Sequence, residues 1–140
     1  MLIPGIDGQK MSKSKRNVID IFQTDKALRK QIMSIQTDST ALEAAKDWST
    51  CNSFAIYSLL ASDSQVAKMK QNYEGGGYGY GHAKQALFDL ICEQFSEQRE
   101  RYAYYIENLE EIDQALKVGA EKAAKTANAV LQRVREKIGY

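Results

Sequence analysis

The 140-residue chain holds one proline, one histidine, one tryptophan and two cysteines, and each scarcity excludes something. With Pro4 as the single proline, nothing after it breaks helices by ring geometry. With His82 as the single histidine, neither a histidine-rich metal site nor a motif needing two histidines can be assembled, so no metal is expected. Cys51 and Cys92 stand far apart without metal-type spacing and read as reduced thiols of a cytoplasmic protein. No run approaches the ~18 apolar residues of a membrane span, and Met1–Gly5 is too short for the apolar region of a signal peptide. The expectation is a soluble, cytoplasmic protein with no membrane partner. Charge of one sign is also missing. Nineteen Lys and Arg stand against 18 Asp and Glu, a net +1, so any nucleic-acid contact must come from local patches.

What is present is helix. Residues 1–20 carry the proline, the turn signals Pro4-Gly5 and Asp7-Gly8, and a basic cluster of Lys10, Lys13, Lys15 and Arg16. They read as a strand end followed by an exposed loop. From Thr24 onward the periodicity is helical almost throughout. Thr24 can cap a helix to about Ile35, with Leu28, Ile32 and Ile35 on one face, and Asn52 can cap a second with Ile56, Leu59 and Leu60. Ser62 or Asp63 can cap a third, carrying Val66, Met69 and Tyr73. Five glycines within residues 75–81 form a loop, since each costs ~1 kcal/mol inside a helix. A long helix is expected over about His82–Asn108. A short helix should follow and end at Gly119 as a C′ glycine, and a last one should run over about Ala120–Ile138. The fold class expected is an all-α helical bundle.

The segment Lys10-Met11-Ser12-Lys13-Ser14 carries the chemistry. Two lysines three residues apart in a loop can converge on polyphosphate, each a compact charge with three donors. Two small hydroxyls add hydrogen bonds without bulk. Such a loop can follow charge as it moves toward a leaving pyrophosphate, and binding that tightens in the transition state accelerates the reaction. The glycine–tyrosine segment has G-x-G spacings but neither a preceding strand nor a Gly-Lys-Ser/Thr ending, so it reads as a helix connection. Tyr78 and Tyr80 are expected to pack on helix faces, with stacking on RNA bases as the alternative. His82 is expected to help start the following helix. Arg99, Arg101, Lys117, Lys122, Lys125, Arg133, Arg135 and Lys137 alternate with glutamates on polar faces, where a subset is available to phosphates.

With these motifs in order, the chain resembles the bacterial-type tryptophanyl-tRNA synthetase family. Lys10–Ser14 matches its signature loop. Ile35–Ser39 resembles its Thr-Asp-Ser turn, and Thr50-Cys51-Asn52 its next helix start. Tyr73–Gly79 resembles its Y-E-G-x-x-Y-G segment, Gln98–Tyr102 its charged helix, and Val118–Ala123 its G-A-x-K-A segment. The resemblance implies activation of tryptophan by ATP with Mg2+ and transfer to its tRNA, in a homodimer. It implies that Lys10 and Lys13 act on the ATP phosphates, Lys13 foremost at the leaving pyrophosphate. Met11 would lie near the adenine through its backbone, and Ser12 and Ser14 would position the loop or bond phosphate. Residues 1–20 would end a Rossmann-type nucleotide-binding catalytic domain, and 21–140 would form the helical domain that binds the tRNA anticodon region.

Two departures matter. Lys15 stands where many relatives carry Asp. The family's second signature needs two histidines, and this chain has only His82. The expectation is a C-terminal fragment that reaches tryptophan only through the missing domain and does not activate it alone. The alternatives are a fragment of the tyrosine-specific sister enzyme, which shares the pentapeptide, and a stand-alone, non-catalytic helical module binding RNA or protein.

Overall fold

The computed structural model describes residues 2–139. Six helices are found among them: α1 (Asp25–Met33), α2 (Asn52–Tyr57), α3 (Asp63–Glu74), α4 (Tyr80–Gln94), α5 (Ser96–Glu107) and α6 (Leu109–Ile138). A 3-10 turn spans Trp48–Thr50. No strand forms among the described residues, and Pro4 and Lys10 make an isolated antiparallel bridge. The all-α reading holds. The chain divides into two compact units, Met1–Arg99 and Glu100–Tyr140.

In the first unit the helix starts follow from local chemistry. Thr24 Oγ1 accepts from the Ala27 N–H at 3.4 Å and caps α1. Ser62 and Gln65 form a reciprocal capping box on α3, with Gln65 Oε1 accepting from the Ser62 N–H at 2.8 Å. The lone histidine caps α4, its Nδ1 accepting from the Gly79 N–H at 3.3 Å. α1 and α2 both pack on α4. The core between them comprises Leu28, Ile32 and Ile35, Phe54, Ile56 and Tyr57, Met69 and Tyr73, and Ala83, Leu87, Leu90 and Ile91. Each large side chain there contributes roughly 1.5–3 kcal/mol by leaving water.

Tyr73 is the aromatic centre. Its ring lies 5.9 Å from Phe54 and 6.0 Å from both Tyr78 and Tyr80. Its hydroxyl shares hydrogen bonds with Cys51 Sγ and Ser53 Oγ, and burial pushes its pKa far up. Tyr78 and Tyr80 therefore pack as expected. Tyr80 also donates to Asp38 Oδ1 at 2.7 Å, and its pKa is pushed up to about 12 by burial and that carboxylate. Two lysines are buried. Lys46 Nζ donates to the carbonyls of Ala41, Leu42 and Ala44 at 2.9–3.1 Å, which organises the polar stretch after α1. Lys84 Nζ donates to Met33 O at the end of α1.

α2 ends at Tyr57, short of the expected Leu59 and Leu60, and α4 begins at Tyr80, so Gly81 lies in a helix. Three further boundaries differ from those expected. Cys51, not Asn52, occupies the N-cap of α2 without a side-chain cap, and Asn52 is the helix's first residue, donating its Nδ2 to Gln36 O at 3.2 Å. The expected long helix breaks at Phe95, which is half-buried against the core. The Ser96 hydroxyl then takes the Glu93 carbonyl at 3.0 Å in competition with the ladder. Gly119 ends nothing. It lies inside the 30-residue α6, where the alanines, lysines and glutamates around it outweigh its ~1 kcal/mol deficit.

In the second unit α6 buries none of its side chains, and Val130, Leu131, Val134 and Ile138 are 44–64% exposed. Asn108 separates α5 from α6, its side chain donating to Tyr104 O at 2.8 Å. No described helix is long and apolar enough to cross a membrane.

Candidate functional site

The expected site residues lie in a loop folded on itself. Gly5 N–H donates to Gln9 O at 2.7 Å and Met11 N–H to Ile3 O at 2.9 Å, which doubles residues 3–11 back. Two overlapping turns follow, Lys15 N–H to Ser12 O and Arg16 N–H to Lys13 O. Arg16 closes them at φ 55°, the left-handed conformation common after a helical turn.

This geometry sorts the five residues. Lys10, Lys13 and Ser14 are exposed, whereas Met11 and Ser12 are half-buried. The Ser12 and Ser14 hydroxyls lie 2.8 Å apart. Met11 packs against the hydrophobic core and, with Ile3, Ile19, Ile56 and Phe95 among others, lines an apolar cleft of about 290 Å³. Lys13 and Arg16 border a larger open hollow of about 650 Å³ that also touches Val18, Asp20, Phe22 and Gln31. The pentapeptide thus presents ammonium and hydroxyl groups outward and tethers itself inward through Met11.

One side chain escaped the reading of the sequence. Asn17 is 2% exposed. Its Oδ1 accepts from the Ser12 N–H at 2.7 Å, and its Nδ2 donates to Asp7 Oδ1 at 2.7 Å and to Lys10 O at 3.1 Å. Its own carbonyl accepts from Ile6 N–H at 3.0 Å. Gly5 lies so close that a Cβ there would sit 2.5 Å from Asn17 Cγ. The available signal was an uncharged amide between a basic run and the apolar Val18-Ile19, a place where an asparagine is buried only with its donors and acceptor used. The Asp7 carboxyl is held below its usual range, chiefly by the Asn17 amide and also by the Gln9 N–H.

The arrangement suits an anion rich in oxygen. Neither Lys10 nor Lys13 makes an ion pair among the described residues, so both charges face outward uncompensated. No three His, Cys, Asp or Glu side chains gather into a metal-binding group among the described residues. Arg99, which the sequence placed on a polar face, instead bonds the Ile21 carbonyl and the Asp25 carboxylate and ties the first turn of α5 to the start of α1.

Comparison with known proteins gives a consistent result. The family described as tRNA synthetases class I (W and Y) matches residues 1–96. The tryptophan–tRNA ligase of Campylobacter jejuni (strain RM1221) is 46% identical over 138 residues, covering 99% of this chain and 43% of that protein. The tryptophan–tRNA ligase of Fusobacterium nucleatum is 38% identical over 138 residues, covering 99% of this chain and 42% of that protein. The crystal structure of the C. jejuni tryptophanyl-tRNA synthetase complexed with ADP and tryptophan superposes with a TM-score of 0.94 at 46% identity, covering 100% of this chain and 44% of that one. The chain spans less than half the length of the curated relatives it matches.

Proposed function

Because this chain belongs to the class I tRNA synthetase family of the W and Y enzymes, we propose that it is the C-terminal part of a tryptophan–tRNA ligase and supplies the loop that handles the ATP phosphates. The observation that carries this reading is the loop itself. Lys10 and Lys13 stand exposed and without an ion pair among the described residues, with the Ser12 and Ser14 hydroxyls beside them, on a backbone tethered from beneath.

The mechanism follows from that donor set. ATP lies with its triphosphate against Lys10, Ser12, Lys13 and Ser14, and Met11 follows the adenine through its backbone. When the tryptophan carboxylate attacks the α-phosphate, negative charge grows on the departing pyrophosphate. An ammonium already in place there stabilises the transition state more than the ground state. Lys13 takes that role, and Lys10 neutralises the phosphates with it. Asp7, the carboxylate of this loop, accepts through its Oδ1 from the Asn17 amide and the Gln9 N–H and so helps to hold the loop. Mg2+ would arrive with the triphosphate and would offset part of the phosphate charge there.

Residues 1–20 are assigned to the end of a Rossmann-type nucleotide-binding domain and 21–140 to a helical domain for the tRNA anticodon region. The tryptophan pocket and the surface of a homodimer are assigned to the part of the relatives that this chain does not cover. The working protein is placed in the cytoplasm, and this chain by itself is not expected to activate tryptophan.

The test is tryptophan-dependent ATP–pyrophosphate exchange by the full-length ligase that carries this segment. Lys13→Ala should lower exchange on the order of 10²–10³-fold, the scale of losing one transition-state donor, with unchanged helical content by circular dichroism. Exchange at the wild-type rate would refute the role.

A further inference from the structure

We propose that Asn17 is a positioning residue for the phosphate-handling loop, acting through the backbone that carries Lys10 and Lys13. The inference rests on the reading of those lysines given above.

The geometry is that of a side chain imitating a paired strand. The Asn17 amide donates to the Lys10 carbonyl and accepts from the Ser12 N–H, so it grips the two peptide groups on either side of Met11. Two bonds to adjacent peptides fix the orientation of that backbone as well as its position. Lys10 leaves the chain at one end of the grip. At the other end, Ser12 accepts from Lys15 in the first of the two turns that hold Lys13. The second Nδ2 hydrogen goes to Asp7, so the amide cannot rotate without losing a bond to a carboxylate.

No other side chain fits these demands. Aspartate would keep the acceptor, lose both donors and set a second carboxylate beside Asp7. Glutamine adds a methylene where the Gly5 backbone already approaches too closely to admit a Cβ. Serine or alanine cannot span both peptides. A loop whose lysines must meet a transition state benefits from such fixing, because a catalytic group misplaced by about 1 Å can cost on the order of 10²-fold in rate.

The experiment uses the full-length ligase with Asn17→Ala, Lys13→Ala and the double variant, followed by ATP–pyrophosphate exchange and thermal melting. Asn17→Ala should lower kcat about tenfold or more with the KM for tryptophan unchanged. In the Lys13→Ala background the same change should cost a clearly smaller factor, because only Lys10 is then left to be misplaced. An equal factor in both backgrounds, or wild-type exchange by Asn17→Ala, overturns the inference. Should Asn17→Ala unfold, Asp7→Ala removes one partner of the amide near the surface and must show the same non-additivity in smaller measure, and an additive result there overturns the inference equally. If Lys13→Ala itself exchanges normally, the function proposed for the loop falls and this inference falls with it. If Lys13→Ala is impaired, the comparison of the two backgrounds decides the role of Asn17 alone.

Discussion

An alanine placed at Gly76 should cost markedly more stability than the same alanine placed next door at Gly77, although both glycines adopt nearly the same backbone. Their φ angles are 70° and 72°. An L-residue in that region costs roughly 1–2 kcal/mol, and this is the whole expected cost at Gly77, where a Cβ would meet nothing within 4 Å. At Gly76 the Cβ would come to 2.4 Å from the Glu43 carbonyl oxygen. That carbonyl cannot simply retreat. Its neighbours Leu42 O and Ala44 O are both held by Lys46 Nζ, and Leu42 O also accepts from Gly77 N–H. Relief therefore needs a shift of the whole 42–46 segment, adding about 1–3 kcal/mol of overpacking to the strain. The assay is equilibrium urea unfolding followed by the fluorescence of Trp48, the chain's one tryptophan. With a slope of about 1.5–2 kcal/mol per molar, Gly77→Ala should lower the midpoint by somewhat under 1 M and Gly76→Ala by about 2 M. Equal midpoints for the two variants would refute the steric argument and leave strain alone as the cause.

Three further outcomes are expected. Lys46→Met should destabilise by about 2–4 kcal/mol in calorimetry, because three carbonyls near 3 Å lose their buried donor; a loss under about 1 kcal/mol would mean water replaces the ammonium. Asn17→Ala should raise the Asp7 pKa toward 3.8, since the Asn17 amide is the largest cause of its depression. The sign is that of a carboxylate stabilised when charged, so the anchoring is complete above the unfolded value and fades as pH falls below it. Carboxyl NMR titration reads this directly, and an unmoved Asp7 would contradict the hydrogen bond. Gly119→Ala should slow amide exchange around the middle of α6 several-fold, because a Cβ there meets nothing and alanine gains up to about 1 kcal/mol in a helix; faster exchange would mean the helix is interrupted there after all.

What could be read in the sequence was whatever a local signal controls. Thr24, Ser62 and His82 cap helices with their own side chains, and the 3.6-residue spacing of Leu28, Ile32, Leu87 and Ile91 marks faces that do become core. The readings that failed were those in which a local signal met a distant competitor. Asn52 has the chemistry of a cap, but it stands one residue inside α2, where its Nδ2 donates to Gln36 O across 16 residues. Phe95 breaks a helix because the core draws its ring inward, which no window of neighbours reveals. Gly119 failed in the opposite direction, for a favoured stop residue was overruled by good helix formers on both sides. At the candidate site the exposed lysines were legible as a motif. Asn17 was not, since its importance comes from the Ser12 N–H, the Lys10 carbonyl and the Asp7 carboxylate, five to ten residues back, which only folding brings to it.

The same distinction explains why a helical body can identify the family of a loop. Ile6, which donates to Asn17 O, accepts from Gln36 N–H, and Gln36 O in turn accepts from the Asn52 amide. A relay of backbone and amide bonds thus runs from the signature loop through the segment after α1 to the first residue of α2. Gln36 and Asn52 belong to two of the stretches that resemble the family, and Tyr73 and Tyr78 of a third form the aromatic centre beneath them. These segments carry no phosphate chemistry. The position of the lysines depends on what the loop rests on, and Met11 rests directly on the core. A change that shifts α1 against α2 would therefore reach Lys10 and Lys13 through Ile6 and Asn17 without touching either lysine, and the loop and its helical support are best regarded as one functional unit.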